Sequence, residues 1–180
     1  MQFIPTKING VYLLEIERKE DARGFFARIF SRDEMLERGL VAEFPQHNIG
    51  YNELKGTLRG MHFQRAPHAE TKLVRCTSGS VIDVALDIRP ASPTFKQWVS
   101  VELSAGNRRM LYIPEGCAHG YQTLEDATEL SYLTSQFYMP QSATGLRHDD
   151  LAFAIEWPLA VSRISDADRK WADFSPEAIR

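Results

Sequence analysis

The stretch KLVRCTSGSVIDVALDI, residues 72–88, decides the fold. It contains two runs rich in apolar residues, 72–77 and 81–88, and Gly79 lies between them where a turn is expected. In the second run the even positions are apolar, and the odd positions are smaller or charged. This alternation predicts a strand with one face buried and the other exposed.

Similar short runs lie on both sides of this stretch. The further predicted strands are residues 11–16, 25–30, 57–63, 95–103, 109–113, 120–124 and 128–133. Helical patterns are confined to a short segment from Ser31 to Gly39 and to the tail around residues 166–171. Many short strands at regular spacing predict an all-β sandwich or barrel with a few short helices. Because no linker, repeat or low-complexity run is present, we expect residues 1–180 to form one domain.

Composition excludes several classes of protein. The chain has 180 residues, 43% of them hydrophobic, and 21 Lys and Arg against 24 Asp and Glu give a net charge of −3. The mild acidity argues against binding to nucleic acid or to an anionic membrane through bulk charge. No run approaches the 18 apolar residues of a transmembrane helix. The first residues lack the apolar run of a signal peptide, and Cys76 and Cys117 are predicted to be free buried thiols, so we expect a cytoplasmic protein.

One polar cluster lies inside a predicted strand, in the run GTLRGMHFQ, residues 56–64. Strict alternation along a strand would place Arg59 and His62 on opposite faces. The glycines on both sides of Arg59 weaken a regular strand and are typical of a bulge or of close approach to a ligand. If both side chains serve one site, a bulge near Gly60 is required, and we predict one.

A second cluster, PEGCAHG at residues 114–120, resembles the second half of the cupin barrel signature. Such a run corresponds to a tight turn that places the side chain of His119 inside a barrel. Cupin metal sites take further ligands from a His-x-His segment, and the corresponding segment here is HFQ, residues 62–64. Since the second histidine is missing, three good ligands cannot be assembled, and we predict a site without a metal.

Three more polar residues are candidates with open alternatives. Lys72 would be costly to bury in an apolar strand without an anionic partner, although it could instead be a lysine at the rim. Tyr132 and Tyr138 could act on a ligand, but such tyrosines are more often core or interface residues.

Together these runs resemble the dTDP-4-dehydrorhamnose 3,5-epimerase family. The matching stretches are DARGFF (21–26), QHN (46–48), RGMHFQ (59–64), KLVR (72–75), DVALDIR (83–89), SPTF (92–95), IPEGCAHG (113–120) and IEWP (155–158). They follow the family order over nearly the whole chain. The resemblance implies a jelly-roll, cupin-like β-barrel that forms a homodimer by exchanging strands. It also implies an enzyme that works without a metal or a nicotinamide cofactor.

The chemistry of such an epimerase can be argued independently. Inversion of a carbon next to a ketone requires removal of an acidic α-proton, stabilisation of the enolate and reprotonation from the other face. His62 suits the base because imidazole titrates near neutral pH, and a carboxylate behind it would fix its tautomer. Lys72 suits the enolate oxygen, and Tyr132 suits the acid.

The resemblance implies the same catalytic roles. His62 matches the family base, Tyr132 the proton donor, and Asp168 the aspartate that pairs with the base, with Asp166 and Asp83 as competitors for that position. The positions that match binders of the sugar and diphosphate are Arg23, Arg59, Lys72 and His119. The positions that match nucleotide contacts are Gln46 and Asn48, with Tyr138 stacking on the base.

Three positions depart from the family pattern. Arg28 stands where the family carries a Glu that accepts from thymine N3–H, Ala143 replaces another Glu, and Ala167 replaces a basic residue. Arginine only donates, so Arg28 cannot accept from thymine but can donate to O2 and N3 of cytosine. A CDP-linked substrate is therefore one hypothesis. In the other, Arg28 turns to the phosphates, and thymine is held by Gln46, Asn48 and stacking.

The sequence thus predicts a nucleotide-sugar epimerase that inverts C3, C5 or both in a dTDP-4-keto-6-deoxyhexose. An epimerase acting at one carbon of a CDP-linked sugar is the main alternative. A metal-dependent cupin enzyme and a sugar-binding module without catalysis are more remote alternatives. The expected partners are the nucleotide-sugar substrate and a second copy of the chain, and neither a nucleic acid nor a membrane is expected.

Overall fold

The computed structural model describes residues 1–176, so the last four residues of the predicted domain, 177–180, lie outside the described part. The strands in chain order are β1 Gln2–Pro5, β2 Tyr12–Glu15, β3 Lys19–Asp21, β4 Gly24–Phe26, β5 Gln46–Asn52, β6 Leu58–Gln64, β7 Lys72–Ser78, β8 Ser80–Asp87, β9 Trp98–Ser104, β10 Met110–Ile113, β11 Cys117–Thr123, β12 Thr128–Thr134 and β13 Ala143–Gly145. The helices are α1 Arg32–Leu36 and α2 Asp166–Arg169. None of the helices in this part of the chain is long and apolar enough to span a bilayer.

The strands form two antiparallel sheets that pack face to face. One has the order β1-β2-β10-β7-β12-β5 and the other β13-β6-β11-β8-β9, while β3 and β4 form a separate hairpin. The central core lies between the sheets and takes residues from both, for example Val74 and Leu130 from the first and Ala85 and Tyr121 from the second. This jelly-roll arrangement confirms the predicted all-β barrel with a few short helices.

Strand β8 is buried on both faces, so the prediction of one exposed face for residues 81–88 is wrong. Its odd positions, such as Ala85, point into the central core. Its even positions Val84 and Leu86 pack against Leu146 and Phe153 of the C-terminal segment. That segment crosses the outer face of the five-stranded sheet, and the alternation within one strand cannot reveal such a cover.

Part of the outer face of the six-stranded sheet, over β2 and β10, is covered as well. Met35 of α1 packs with Leu14 and Tyr112 in a third apolar cluster. The hydroxyl of Tyr112 also accepts a hydrogen bond from the backbone of Val41 at 3.0 Å. The segment between β4 and β5 is therefore fixed to the back of this sheet.

Several segments differ from their predictions. Strands β1, β3, β5 and β13 were not predicted, and β9 begins at Trp98 rather than at residue 95. The predicted strand 25–30 ends at Phe26, and with β3 it forms a short arm whose residues are exposed. Strand β5 was not predicted because it has no apolar face. Its partly buried positions, such as Gln46 and Asn48, are polar, and the apolar residues Ile49 and Tyr51 lie at its exposed positions. Both helices begin and end within their predicted segments.

The predicted bulge near Gly60 is confirmed. His62 of β6 pairs with His119 of β11, and Arg59 pairs with Tyr121, so three steps along β6 oppose two along β11. Gly60 has φ +126°, and a Cβ there would lie 2.5 Å from Cα of Gly120. Only glycine fits this conformation and this close approach, and the extra residue brings Arg59 and His62 to the same pocket.

Candidate active site

A cavity of about 800 Å³ opens between the two sheets at one end of the barrel. Strands β5, β7 and β12 form one wall, β6 and β13 form the other, and residues 163–171 close one side. The predicted site residues that line it are Gln46, Asn48, Arg59, His62, Lys72, Tyr132, Tyr138 and Asp168. Residues scattered over more than a hundred positions are therefore brought to one pocket.

His62 and Asp168 form a hydrogen-bonded pair on the wall of this pocket. Nε2 of His62 lies 2.6 Å from Oδ1 of Asp168. The carboxylate is only 5% exposed, whereas the imidazole is 44% exposed. Because an ionised carboxylate can only accept, Nε2 carries the proton and the lone pair of the neutral ring is on Nδ1. The ring is thus suited to take a proton from a molecule in the pocket.

The carboxylate of Asp168 is held by its own short helix. Ser165 caps α2 by accepting from the backbone N–H of Asp168 at 3.0 Å. Oδ1 also accepts from the indole of Trp171 at 3.3 Å, and Oδ2 accepts from the N–H of Gly60 at 3.4 Å. Burial opposes ionisation of Asp168, but the hydrogen bonds, that of His62 foremost, outweigh it and lower its pKa. Asp168 therefore stays anionic behind the imidazole.

Lys72 lies on the opposite wall and has the anionic partner that its burial requires. Its Nζ lies 3.1 Å from Oε1 of Glu70, with both side chains nearly buried. Glu70 in turn accepts from Nε2 of Gln64 at 3.3 Å. The alternative of a lysine exposed at the rim is wrong, because only 10% of this side chain is exposed.

Tyr132 lies on the same wall, in the strand next to the edge strand β5. It comes from β12, which pairs with β7 in such a way that Tyr132 faces Val74 and Thr134 faces Lys72. Burial raises the pKa of Tyr132, the negative charge of Glu70 raises it further, and Arg59 lowers it. The phenol thus remains protonated at neutral pH and can donate.

The guanidinium of Arg59 is aimed by strand β5. Its Nε donates to Oδ1 of Asn52 at 2.8 Å, and its Nη2 donates to the backbone oxygen of Tyr51 at 2.9 Å. No acidic side chain within residues 1–176 forms an ion pair with it. Its charge is therefore available to an anionic ligand in the pocket.

Gln46, Asn48 and Tyr138 line the pocket near its mouth. The side chain of Gln46 accepts from the backbone N–H of Tyr138 at 2.7 Å, which fixes the segment that follows β12. The ring of Tyr138 is 65% exposed. An exposed aromatic ring beside amide side chains is a suitable surface for stacking a flat ring.

His119 does not line the pocket directly. It is buried behind the wall, where its Nε2 lies 2.8 Å from Oδ1 of Asp83. Asp83 and Asp166 were the alternatives to Asp168 as the partner of His62, and neither contacts it. Asp83 contacts His119 instead, and Asp166 is exposed on α2. His119 is the residue of β11 that pairs with His62 of β6.

Arg23 and Arg28 lie outside the pocket of their own chain. Arg23 is on the exposed β3–β4 arm and pairs with Asp21 at 2.6 Å. Arg28 lines a small separate cavity of about 160 Å³ together with Glu17 and Glu34. The convergence of both arginines on a diphosphate within one chain is therefore not seen. The hypothesis that Arg28 reads cytosine likewise finds no contact in its own subunit.

Two charged residues of the pocket, Glu70 and Arg163, were not predicted as site residues. Arg163 lines the pocket as a third cation beside Arg59 and Lys72. Ala143 and Ala167, two of the positions that depart from the family pattern, line it as small side chains. The signal for Glu70 was present, since Glu70 and Lys72 are two apart and so share a face of an extended chain. Arg163 had no such signal, because it follows Pro158 in a polar tail without periodicity.

An imidazole backed by a buried carboxylate, opposite a protonated phenol and a lysine, can move protons at a carbon atom beside a carbonyl. Within residues 1–176, no group of three or more His, Cys, Asp and Glu side chains could hold a metal ion. The jelly-roll barrel and this pocket together place the protein in the class of cupin-type isomerases.

Comparison with known proteins gives the family. The family model for dTDP-4-dehydrorhamnose 3,5-epimerase matches residues 5–176. The chain is 45% identical over 169 residues to a dTDP-4-dehydrorhamnose 3,5-epimerase of Shigella flexneri, with 93% of each chain covered. The chain therefore belongs to the dTDP-4-dehydrorhamnose 3,5-epimerase family and is an isomerase.

Solved structures agree with this assignment. The enzyme of this name from Bacillus anthracis, with TDP and PPi bound, gives a TM-score of 0.92 at 38% identity, covering 96% of this chain and 99% of that one. The dTDP-6-deoxy-D-glucose-3,5-epimerase of Legionella pneumophila, in complex with dTDP-4-keto-L-rhamnose, gives 0.86 at 38% identity, covering 93% and 89%. The predicted family is confirmed.

Proposed function

We propose that this protein inverts C3 and C5 of a dTDP-4-keto-6-deoxyhexose by proton removal and return through an enolate. The observation that carries the proposal is the arrangement of one pocket. His62 and Asp168 occupy one wall, and Lys72 and Tyr132 occupy the sheet opposite. The relatives reported above, named for this reaction or crystallised with dTDP-linked ligands, support the same substrate class.

The chemistry assigns one step to each side chain. The C4 ketone acidifies the neighbouring C–H, and Nδ1 of His62 takes that proton while Asp168 stabilises the imidazolium. The electron pair moves onto the carbonyl oxygen, where the ammonium of Lys72 balances the developing charge. The hydroxyl of Tyr132 then returns a proton to the other face of the same carbon. Exchange with solvent restores the imidazole and the phenol for the next carbon.

Two guanidinium groups are available for the diphosphate. Arg59 lies at the start of β6, and the backbone oxygen of Arg163 accepts from the N–H of Leu58 at 2.8 Å, so the two arginines arise side by side. Lys72 and His62 already have carboxylate partners, which leaves Arg59 and Arg163 to match the two negative charges of a sugar diphosphate. Gln46, with its neighbours near the mouth, would then contact the base.

A homodimer is the proposed assembly. The arm of β3 and β4 projects Phe25 and Phe26 into solvent, and the outer face of β5 exposes Ile49 and Tyr51. Exchange of the arm between two copies would cover these side chains and bring Arg23 of the arm, and Arg28 just beyond it, towards the partner's pocket. The two buried free thiols fit a reducing compartment, and we propose a cytoplasmic enzyme formed by one domain.

Solvent exchange resolved by carbon tests the reaction. The protein is incubated in D₂O with dTDP-4-keto-6-deoxyglucose, and deuterium at C3 and C5 is followed by NMR. Exchange with inversion at both carbons supports the proposal, and inversion at one carbon restricts it to a single position. Exchange that is absent in the wild type, or unchanged in His62→Ala, would overturn it and favour a binding module.

Two further measurements address the alternatives. Binding of dTDP and CDP is compared by calorimetry, and we expect dTDP to bind more tightly. Clearly tighter binding of CDP would revive the cytosine hypothesis. Elemental analysis of the purified active protein addresses a metal-dependent cupin enzyme, since stoichiometric Fe, Mn or Zn would contradict the proposed mechanism.

A further inference from the structure

Glu70 places a buried carboxylate inside the pocket, and the proposed steps do not use it. Its side chain lines the cavity and is only 12% exposed. A carboxylate in this position carries a desolvation penalty, and it also places negative charge close to where an enolate would form. A residue with this cost in a reaction pocket calls for a function.

Both oxygens of Glu70 are held by neighbouring side chains. Oε1 lies 3.1 Å from Nζ of Lys72, and Oε2 accepts from Nε2 of Gln64 at 3.3 Å. Gln64 is itself fixed, because its Oε1 accepts from the backbone N–H of Met139 at 2.6 Å. Its two Nε2–H groups are shared between Glu70 and the backbone oxygens of His68 at 3.0 Å and Phe137 at 3.2 Å. The carboxylate therefore cannot turn away from Lys72 without breaking this network.

The position of Glu70 affects two groups of the proposed mechanism. An ammonium has three donors, so one can be anchored by Glu70 while the others remain free for a substrate oxygen. The same negative charge acts on the phenol of Tyr132, which shares this wall. The other charged or titratable groups near Tyr132 are Lys72 on β7, Arg59 and His62 on β6, and Tyr121 on β11.

We propose that Glu70 is a positioning residue, which anchors the ammonium of Lys72 where the enolate oxygen forms and places a negative charge in the pocket that it shares with the phenol of Tyr132. This inference rests on the proposed function for the roles of Lys72 and Tyr132. It predicts that the charge of Glu70 and its hydrogen-bonding shape act separately. Glu70→Gln removes the charge but keeps the side-chain length and one acceptor oxygen for Lys72, while its amide NH2 loses the hydrogen bond from Gln64. Glu70→Ala removes the charge and both acceptors.

The first test does not require the reaction. Tyrosine labelled with ¹³C at Cζ is titrated by NMR in the substrate-free protein, and Tyr132→Phe identifies the resonance of Tyr132. In Glu70→Gln the midpoint of Tyr132 should fall, because a nearby negative charge that opposes ionisation of the phenol is lost. Glu129→Gln is the matched control. Glu129 lies on β12 like Tyr132, but its carboxylate accepts a hydrogen bond from the hydroxyl of Thr77 on the opposite face of that strand. An unchanged midpoint in Glu70→Gln would overturn the proposal.

The second test uses the pH dependence of kcat. In Glu70→Gln the alkaline limb should move to lower pH in step with the titration of Tyr132, while the acid limb stays in place. At neutral pH Glu70→Gln, which keeps one acceptor for Lys72, should lose less kcat than Glu70→Ala, which should lose about 10-fold because Lys72 loses its anchor. Equal losses in both variants with an unmoved alkaline limb would reduce Glu70 to a structural residue. A wild type that lacks epimerase activity would refute the proposed function, whereas the titration would still decide the effect of Glu70 on Tyr132.

Discussion

His62 and Asp168 are 106 positions apart in the chain, yet Nε2 of the imidazole lies 2.6 Å from Oδ1 of the carboxylate. The bulge in β6 turns His62 into the pocket, and the four-residue helix α2 carries Asp168 to it from the opposite end of the sequence. The tautomer of the base therefore depends on a residue from the C-terminal tail.

Replacing Asp168 by Asn should lower kcat with little change in KM. The amide can donate to Nε2, which favours the tautomer with the proton on Nδ1 and removes the lone pair needed for proton abstraction. We expect a loss of about 100-fold in kcat, the usual order for a general base. Steady-state kinetics measures it, and Asp166→Asn, on the same helix but exposed, is the control that should retain full activity.

This pair shows which part of the site local patterns could predict. The bulge followed from the need to bring Arg59 and His62 together, and the glycines of the motif gave it a physical basis. The pairing of Asp168 came only through the family resemblance, because no periodicity links a tail residue to a strand. Arg163 was missed for the same reason.

The fold shows a similar division. Short alternating runs predicted most strands of the barrel, since burial of one face requires them. Strand β5 escaped because its inward side chains, such as Gln46 and Asn48, serve a pocket rather than a core. The exposed face predicted for residues 81–88 was wrong because the covering residues, Leu146 and Phe153 among them, lie some 60 residues away in sequence.

Tyr132→Phe should separate exchange from inversion. Without the phenol, His62 can still remove the α-proton and return deuterium to the same face, so solvent exchange should continue while net inversion falls by at least about 100-fold. His62→Asn should abolish both. NMR in D₂O follows the two processes in one sample, and equal loss of exchange and inversion in Tyr132→Phe would contradict its assignment as the acid.

Arg163→Ala should weaken substrate binding. The guanidinium lines the pocket, and its only side-chain hydrogen bond in residues 1–176 goes to the adjacent backbone oxygen of Ser162 at 3.0 Å. Loss of a charge-assisted contact to phosphate should raise KM about 10-fold with kcat nearly unchanged, and the affinity for dTDP should fall equally. Arg169→Ala on α2, outside the pocket lining, is the matched control. A change in kcat alone would argue against a phosphate contact.

Gly145→Ala should disturb the support of Asp168. A Cβ at this position would lie 2.6 Å from Cε2 of Trp171 and 2.8 Å from the backbone oxygen of Met61, so the indole that donates to Asp168 must move. We expect a loss of stability of about 1–3 kcal/mol, typical of overpacking, together with a lower kcat. Urea unfolding and kinetics measure the two effects. Ala152→Gly, a change of the same size in the exposed turn after Asp150, is the control and should leave kcat unchanged.

Asp87 makes the stability of the barrel depend on pH. Burial opposes its ionisation, but hydrogen bonds from Arg89, Ser92 and Thr94 outweigh burial and lower its pKa to about 2. A carboxyl whose pKa is lower in the folded state stabilises the fold above its unfolded pKa of 3.8, and this contribution is lost as pH falls towards 2. The difference corresponds to about 2 kcal/mol at neutral pH.

Asp87→Asn should therefore destabilise the protein at pH 7 and have a smaller effect near pH 2. Chemical unfolding at both pH values measures the difference, and the gap between variant and wild type should narrow as the pH falls. Asp21→Asn is the control, because Asp21 pairs with Arg23 on the exposed arm, where solvent screens the interaction. A gap that stays constant with pH would mean that Asp87 contributes through hydrogen-bond geometry that Asn cannot reproduce, and not through its charge.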